Sequence, residues 1–443
     1  MKAAMIRDAT RITKARRSAY LFFHMDGGYS LDIGRVLQGD AALTSVQYIL
    51  AASPLTRKEH ALTLEEFQAL YAIPVHEWVC AARLRGEQKI PLERIEWFAE
   101  RGLVITDAPD PHMSELKRRE EVLDSEEWNP YGALYHMMTR WQGVRCVPDG
   151  FAPRSDERGC DDAHGPTDQA MDRFVEAFGH PPDPFHQIRG SKGVRPLPLI
   201  NRLDGVFGAL EKRRTTRSFD TSRSMLLEHF TLLLYYAFGC HGIVRTSGNQ
   251  LAIRKTSPSG GGFHPVEVYP LVRDVEGVAP GLYHYDVKNH ALERIESLSK
   301  EAASDLADEF TAGQHYPRCA HALFIMTARF YRNHWKYRRH PKTYGVILMD
   351  AAHLSQTIYL VTAQLGLGAF FTAAINGIDI EARLGLDGFS ESAIGISGAG
   401  IPAITKAEPE FRPYVPRQTM LQTGDGARLP SRTGRDQGKG RLK

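Results

Sequence analysis

Three arginines and two threonines stand within five positions of one segment, EKRRTTRSFD at residues 211–220. Arg213, Arg214 and Arg217 supply fork-shaped guanidinium donors, and Thr215 supplies a hydroxyl. Such donors hold a dianionic phosphate monoester. A solvated basic helix end would have the same composition, so the segment indicates a phosphate site only together with other features.

A second segment, SPSGGGFHPVEVYPLV at residues 257–272, places consecutive glycines directly before a strand pattern. Glycines let the backbone approach a flat ligand closely and direct N–H groups at its polar edge. A flexible turn before a strand is the alternative interpretation. The chain has no GxGxxG or GxxxxGK[ST] pattern, so a dinucleotide or nucleoside triphosphate loop is not indicated.

The elements that must position these segments are predicted between residues 201 and 415. MLLEHFTLLLYYAFG is apolar on nearly every side and stops at Gly239, which predicts a buried helix. DAAHLSQTIYLVTAQLGLG has an apolar stripe at helical spacing and is closed by glycines. VEVYPLV, GLYHYD and ALFIMTARF are strand patterns. These patterns predict an α+β domain.

A separate small domain is predicted at residues 19–112, after a basic leader at 1–18. Thr63 and Glu66 form a capping-box pattern. In PLERIEWFAERGLVIT, a helix that begins near Pro91 and ends near Gly102 is followed by a short strand, which is typical of the end of a winged-helix unit. The acidic balance of that helix argues against a surface that reads DNA.

Two further regions have no domain pattern. Residues 113–200 are dense in proline, glycine, aspartate and histidine, which predicts a linker with at most short helices. Residues 416–443 are basic and poor in large apolar side chains, which predicts a disordered tail.

The composition argues against several classes of protein. Fifty-five basic and 52 acidic side chains give a formal charge of +3, too small to indicate nucleic acid or a membrane as partner. The five cysteines have no CxxC spacing, and no histidines have ligand-like spacing, so neither a disulfide framework nor a metal site is predicted. No apolar region follows the N-terminus, and no run approaches the ~18 residues of a membrane span. We therefore expect a cytoplasmic protein.

Taken in order, these motifs resemble the nitroreductase superfamily, and specifically its SagB-type dehydrogenases of ribosomal peptide maturation. The resemblance also includes GLYHYDVKNHALERI at 281–295 and LGLDGFSESAIGISGAG near the end of the domain, and it covers about residues 205–402. It implies a nitroreductase-like fold, with a mainly antiparallel sheet flanked by helices, and FMN held at the interface of a homodimer.

The resemblance also assigns cofactor contacts. The residues expected at the phosphate and ribityl chain are Arg213, Arg214, Thr215 and Arg217, with Lys406 or Arg412 as a further phosphate contact. Those expected along the isoalloxazine ring are Pro258, Ser259, Gly260 and Gly261.

For catalysis, azole-forming members of the family carry a Lys-Tyr pair before the long helix, and WKYRRHPKTYGV offers Lys336 and Tyr337 there. A lysine with a pKa lowered by burial could accept the proton that leaves the substrate during oxidation. The chain departs from the family pattern at Arg338, where the family has glycine, and at Gly345, where it has arginine. An exposed basic loop is the alternative. His353 matches a family histidine, as either a packed helix residue or a proton donor.

The resemblance implies an FMN-dependent dehydrogenase that oxidises residues of a ribosomally made peptide, for example an azoline ring to an azole. Its expected partners are a precursor peptide and a cyclodehydratase or other maturation enzyme. One alternative is an NAD(P)H-dependent reductase of nitro groups, quinones or enones at the same FMN site. In another, the flavin domain is vestigial or sensory, and the N-terminal domain binds a leader peptide or partner enzyme along the exposed strand LVIT.

Overall fold

The computed structural model describes residues 12–31, 43–145, 204–245 and 251–403, together with 175, 176, 179, 180, 195 and 197. Chain contacts divide the protein into two units. The larger unit comprises Met1–Ala163 and Lys212–Ala403, and the smaller comprises His164–Glu211 and Ile404–Lys443. In the smaller unit the described element is a helix, α6 (Gly205–Lys212), whose last residue falls in the larger unit.

A six-stranded sheet with antiparallel pairing forms the centre of the larger unit. Its strand order is β11-β10-β9-β12-β14-β13. The strands are β9 Val266–Val272, β10 Gly281–Asp286, β11 Ala291–Ser297, β12 Ala322–Arg329, β13 Gly368–Thr372 and β14 Glu391–Gly400. Before them in the chain, β7 (Gly242–Arg245) and β8 (Leu251–Arg254) form a separate antiparallel pair. The predicted α+β class, with an antiparallel sheet flanked by helices, is confirmed.

Both faces of this sheet are covered, which explains why β12 is a continuous apolar run. The shared core on one face lies under α7 (Leu227–Phe238) and α10 (Thr343–Leu365). The core on the other face lies under α8 (Lys300–Phe310) and α11 (Gly377–Leu384).

The two predicted apolar helices are present with changed detail. α7 ends at Gly239 as expected, but it is not buried all round, because Leu227 and Tyr236 are exposed. α10 begins seven residues earlier than the DAAHLSQTIYL pattern and ends at Gly366, whose φ of 70° is left-handed. By length and composition α10 could cross a membrane, but the core helices of soluble proteins have the same length and composition. Leu354 and Ile358 of α10 are buried in the core.

The N-terminal part contains two small sheets. One has the order β5-β1-β6, and the other has the order β2-β3-β4. The strands are β1 Lys14–Arg17, β2 Phe22–Leu31, β3 Leu43–Ser53, β4 Lys58–Leu62, β5 Val79–Cys80 and β6 Val104–Thr106. The helices are α1 Leu64–Ala72, α2 Ala81–Gly86 and α3 Leu92–Glu100. The capping box of Thr63 and Glu66 is formed, whereas a winged-helix identity stays a prediction.

Two expectations for this part are wrong. The predicted basic leader, residues 1–18, is not a separate segment. Its residues Lys14–Arg17 form β1, which is the central strand of a sheet with β5 and β6. The strand LVIT is not exposed, since Leu103, Val104, Ile105 and Thr106 have no accessible surface. It is buried because Ile105 packs in the core with Leu116 of the helix that follows.

The predicted linker is also wrong at its beginning. Its first part forms α4 (Pro111–Ser125) and α5 (Pro130–Met138), which pack in the same core as Phe330. Pro111 and Pro130 occupy the first turn of these helices, behind the capping residues Asp110 and Asn129. Residues 146–174 and the predicted disordered tail lie outside the described part of the chain.

Of the cysteines, Cys80 and Cys240 are free. Cys319 is disulfide-bonded, which the cysteine spacing did not predict. The described residues contain no group of three or more His, Cys, Asp or Glu side chains that could hold a metal ion.

Candidate functional site

The basic segment is fixed to the edge strand of the central sheet. Thr215 forms a parallel bridge with Ala369 of β13, and the Thr216 N–H donates to the Ala369 carbonyl at 2.8 Å. Thr216 is buried against Gly368, where an added Cβ would lie 2.5 Å from the threonine side chain. The segment is therefore an ordered strand-like element, not a frayed helix end.

Its polar side chains gather around the C-terminal half of α10. The Thr215 and Tyr359 hydroxyls are 3.2 Å apart. The Arg213 guanidinium lies over the Tyr359 ring, at 5.5 Å from its centroid. Arg217 lies over the Tyr316 ring at 5.8 Å. Arg213 and the exposed Arg214 form no ion pair with any described residue, so both guanidinium groups could bind an anion.

The glycine turn is fixed to the N-terminal half of the same helix by one carboxylate. The Ser259 hydroxyl donates to Asp350 Oδ2 at 2.6 Å, and the Gly260 N–H donates to Asp350 Oδ1 at 3.0 Å. Ser259 Oγ also accepts from the His264 N–H at 2.9 Å. Burial raises the pKa of Asp350, and the bonds from Ser259 and Gly260 oppose that rise. Asp350 was not predicted, because nothing in the helix pattern distinguishes it from a surface acid.

Two glycines of the turn could not be replaced without moving it. A Cβ on Gly260 would overlap Val346 Cγ1 of α10. Gly261 has a φ of 68°, and a Cβ there would meet Phe263 and the Tyr337 hydroxyl. Pro258 and Gly261 are exposed, and Ser259 and Gly260 are partly so. The turn therefore presents backbone to a ligand, which fits the edge of a flat ring.

The basic segment and the glycine turn contact opposite faces of α10. Asp350 and Tyr359 are nine residues apart, which is two and a half turns at 3.6 residues per turn. They are separated by about 13 Å along the axis and by half a turn around it. Between these faces runs an exposed stripe, in which Met349 is 63% exposed. One copy of the chain therefore does not bring the two predicted halves of the ligand site together.

Lys336 and Tyr337 end a short helix, α9 (Tyr331–Tyr337), beside the glycine turn. Lys336 Nζ lies 5.7 Å from the centroid of the Phe263 ring and 5.4 Å from that of the Tyr337 ring. Lys336 is exposed, so the expectation that it is buried is wrong. The departure at Arg338 puts an arginine where the helix ends with a φ of 49°, a conformation that favours the glycine expected from the family pattern.

A cavity of about 1070 Å³ adjoins the turn and this helix. Its walls include Gly261, Phe263, Trp335 and Lys336. Glu126, from the end of α4, also lines the cavity. Sequence reasoning missed Glu126, because the predicted linker gave no reason to place it near the site.

The remaining predicted residues are His353, Lys406 and Arg412. His353 is exposed on α10, and its carbonyl accepts hydrogen bonds from Ser257 and Thr357. Lys406 and Arg412 lie outside the described residues.

Comparisons with known proteins identify the family of the central domain. The nitroreductase family matches residues 210–400. The trifolitoxin-processing protein TfxB of Rhizobium leguminosarum bv. trifolii is 31% identical over 242 residues, 51% of this chain and 61% of that protein. The chain thus spans less than two thirds of that relative. A candidate nitroreductase of Methanocaldococcus jannaschii is 32% identical over 190 residues, 42% of this chain and 86% of that protein.

Among solved structures, the E. coli microcin synthetase McbBCD complex with truncated pro-MccB17 bound aligns with a TM-score of 0.38 and 20% identity. That alignment covers 52% of this chain and 80% of the other.

Proposed function

Because the chain belongs to the nitroreductase family, we propose that it is an FMN-dependent dehydrogenase that oxidises residues of a ribosomally made peptide. Members of the family are oxidoreductases that generally bind flavin. The peptide substrate is supported by the similarity to a trifolitoxin-processing protein. An azoline ring oxidised to an azole is one such reaction.

The basic segment would hold the phosphate end of FMN. Arg213 and Arg214 offer guanidinium donors that no described carboxylate occupies, and the Thr215 hydroxyl lies beside them. Arg217 would be a further contact of the phosphate. Lys406 or Arg412, which are outside the described residues, would be another. Charge-assisted bonds to a phosphate are among the strongest hydrogen bonds in proteins.

The turn at Pro258, Ser259, Gly260 and Gly261 would line the isoalloxazine ring. The ring supplies a two-electron acceptor when it is bound. This chain's part is to hold the backbone of the turn in place, which Asp350 does through Ser259 Oγ and the Gly260 N–H. A side chain at Gly260 would push the turn away from α10, and one at Gly261 would collide with Phe263 and Tyr337.

The observation that carries the proposal is the placement of these two segments on opposite faces of α10. A flavin that needs both can have them only if one copy supplies the phosphate segment and a second copy supplies the turn. The exposed stripe with Met349 lies between the two faces and is the surface that a second copy would cover. A homodimer with two equivalent sites is therefore part of the proposal.

Lys336 and Tyr337 remain the proposed catalytic pair. Lys336 lines the cavity next to Gly261, and the Tyr337 hydroxyl lies close to the same glycine. Both would act on a substrate bound in the cavity. The ammonium group of an exposed lysine donates hydrogen bonds, so its role would be to stabilise negative charge that develops on the substrate.

The N-terminal part would bind the precursor peptide's leader or a partner enzyme such as a cyclodehydratase. Because LVIT is buried, that binding would use another surface of residues 19–112.

A cytoplasmic location also remains a proposal.

The test is to incubate purified, FMN-loaded protein with a modified precursor peptide. The proposal expects a yellow protein with oxidised-flavin bands and a peptide lighter by about 2 Da, the mass of two hydrogens. If NADPH bleaches the flavin rapidly without oxygen and no peptide loses mass, the enzyme is instead a reductase, the activity for which the Methanocaldococcus relative is named. A colourless protein that cannot be loaded with FMN would contradict both functions.

A further inference from the structure

The cavity beside the glycine turn is completed by a residue from outside the family-matched region. Glu126 follows α4, and it lines the same cavity as Gly261 and Lys336. The family match begins only at residue 210. The N-terminal part therefore contributes to the place where a substrate would meet the flavin ring.

The backbone of Glu126 is held on the family domain by its neighbours. Its carbonyl accepts a hydrogen bond from His334 Nδ1 of α9 at 2.9 Å. Two residues later, the Trp128 indole N–H donates to the Phe389 carbonyl at 3.0 Å, and the Trp128 ring packs on Phe330. Trp128 is fully buried. The position of Glu126 is thus fixed by contacts of its own carbonyl and of Trp128.

The carboxyl group of Glu126 lacks a full set of partners. Its Oε2 atom is buried and forms no hydrogen bond with any residue that the structure describes. An unsatisfied buried carboxylate oxygen is costly, and a substrate N–H or an added proton would relieve that cost. Burial raises the pKa of Glu126, the charge of Asp387 adds to the rise, and the Tyr331 N–H and Arg329 oppose it.

The charged groups that share the cavity with Glu126 are Arg329, Arg332, Lys336 and Glu391. The cationic groups outnumber the acids, which suits a site where negative charge develops on a substrate. None of these cations can take up a proton, because guanidinium and ammonium groups have no acceptor.

We propose that Glu126 is the catalytic residue that accepts the proton released by the substrate. The inference rests on the proposed dehydrogenase function. In the oxidation of an azoline, one ring carbon loses a proton to Glu126 Oε2, which gains an O–H bond. Bound FMN would supply the two-electron acceptor for the hydride of the neighbouring carbon, and a double bond would form between the two carbons. Lys336 stabilises the negative charge that develops on the substrate ring as the proton leaves.

The test compares Glu126→Gln with Glu121→Gln, which changes an exposed glutamate of α4 in the same way. Glutamine keeps the volume of Glu126 but cannot accept the proton. Three quantities are measured: bound flavin, the visible spectrum of the holoenzyme from pH 4 to 9, and the rate at which a precursor peptide reduces the flavin without oxygen. The spectrum needs no substrate and reports whether a carboxyl group titrates beside the ring.

We expect Glu126→Gln to bind flavin normally. The peptide should reduce the flavin of this variant at least ~100-fold more slowly than that of the wild type, since a general base contributes about 10²–10⁴-fold. We also expect a pH-dependent spectral shift in the wild type and in Glu121→Gln, which is lost in Glu126→Gln. Equal reduction rates in wild type and Glu126→Gln would overturn the inference and leave the dehydrogenase function standing.

The two hypotheses can fail separately. A spectral shift that depends on Glu126, in a protein whose flavin no peptide reduces, would retain the placement of Glu126 and overturn the dehydrogenase function. Loss of flavin from Glu126→Gln would mean that the residue is structural, and this too would overturn the inference.

Discussion

Asp350 and Tyr359 hold different parts of the candidate site from opposite faces of α10. Asp350 binds the glycine turn, and the Tyr359 hydroxyl contacts Thr215 of the basic segment. The two residues are half a turn apart around the helix axis, so under the proposed homodimer each chain would contribute one part to each of two flavin sites. Flavin binding and self-association should therefore depend on the same helix face.

A charge on the exposed stripe of α10 should abolish flavin binding and self-association together. We expect Met349→Asp to give monomers that lose most of their FMN, because an interface does not bury an unpaired charge. Sedimentation velocity and the flavin-to-protein absorbance ratio measure the two effects. Leu64→Asp is the matched control, since Leu64 of α1 is 64% exposed and Met349 is 63% exposed. A monomer that keeps full FMN would contradict the shared site.

The phosphate contact can be tested without disturbing the fold. Replacing Arg213 by glutamine removes a guanidinium that forms no ion pair with a described residue. We expect FMN affinity to fall by about 10- to 100-fold, the equivalent of one charge-assisted hydrogen bond at ~1.5–3 kcal/mol. Fluorescence titration of the flavin-free protein measures the affinity. Arg223→Gln is the control, because Arg223 pairs with Asp220 in the same segment. An equal loss in both variants would indicate a non-specific effect of charge.

The close approach of the glycine turn to α10 predicts a steric effect with a specific rescue. A Cβ at Gly260 would overlap Val346 Cγ1, so Gly260→Ala should displace the turn and cost about 1–3 kcal/mol of folding stability. Flavin retention should fall as well. Adding Val346→Ala removes the overlapping methyl group and should restore much of the folding stability and of the flavin retention. Urea denaturation and the visible spectrum are the measurements. The single substitution Val346→Ala is the control for the cavity that it opens.

Much of the family domain could be predicted from the sequence because its signals are local. The apolar helix that stops at Gly239 and the strand of continuous apolar residues in β12 both formed as expected. The segments around Arg213 and Gly260 both contact α10, as motifs of a single site should. Their placement on opposite faces could not be predicted, since the strand pairing of Thr215 with Ala369 joins residues far apart in sequence.

The N-terminal part was predicted less well, for a physical reason. Its helices α4 and α5 have charged or mixed faces, and their proline starts resemble linker punctuation. What fixes them is long-range packing of Trp128 on Phe330 and His334, which no local pattern reveals. Glu126 was missed together with them.

A buried histidine at this junction should make folding stability sensitive to acid. His136 of α5 is 2% exposed, and its ring nitrogens contact the Tyr344 hydroxyl at 3.0 Å and the Gly388 carbonyl at 3.1 Å. Burial lowers its pKa from 6.5 to about 3, and the nearby Arg140 adds to the effect. The unfolded chain therefore binds a proton between pH 6.5 and 3 that the folded chain does not, so stability falls as the pH falls through this range.

Between pH 7.5 and 5.0, His136 alone should remove about 2 kcal/mol from the free energy of unfolding. We expect His136→Gln to be less stable than wild type at pH 7.5, because its contacts to Tyr344 and Gly388 change, but to lose about 2 kcal/mol less on going to pH 5.0. Urea denaturation at the two pH values gives both numbers. His112→Gln replaces an exposed histidine and should keep the wild-type pH dependence. If His136→Gln lost as much stability in acid as wild type, His136 would not be the neutral, buried group that the contacts indicate.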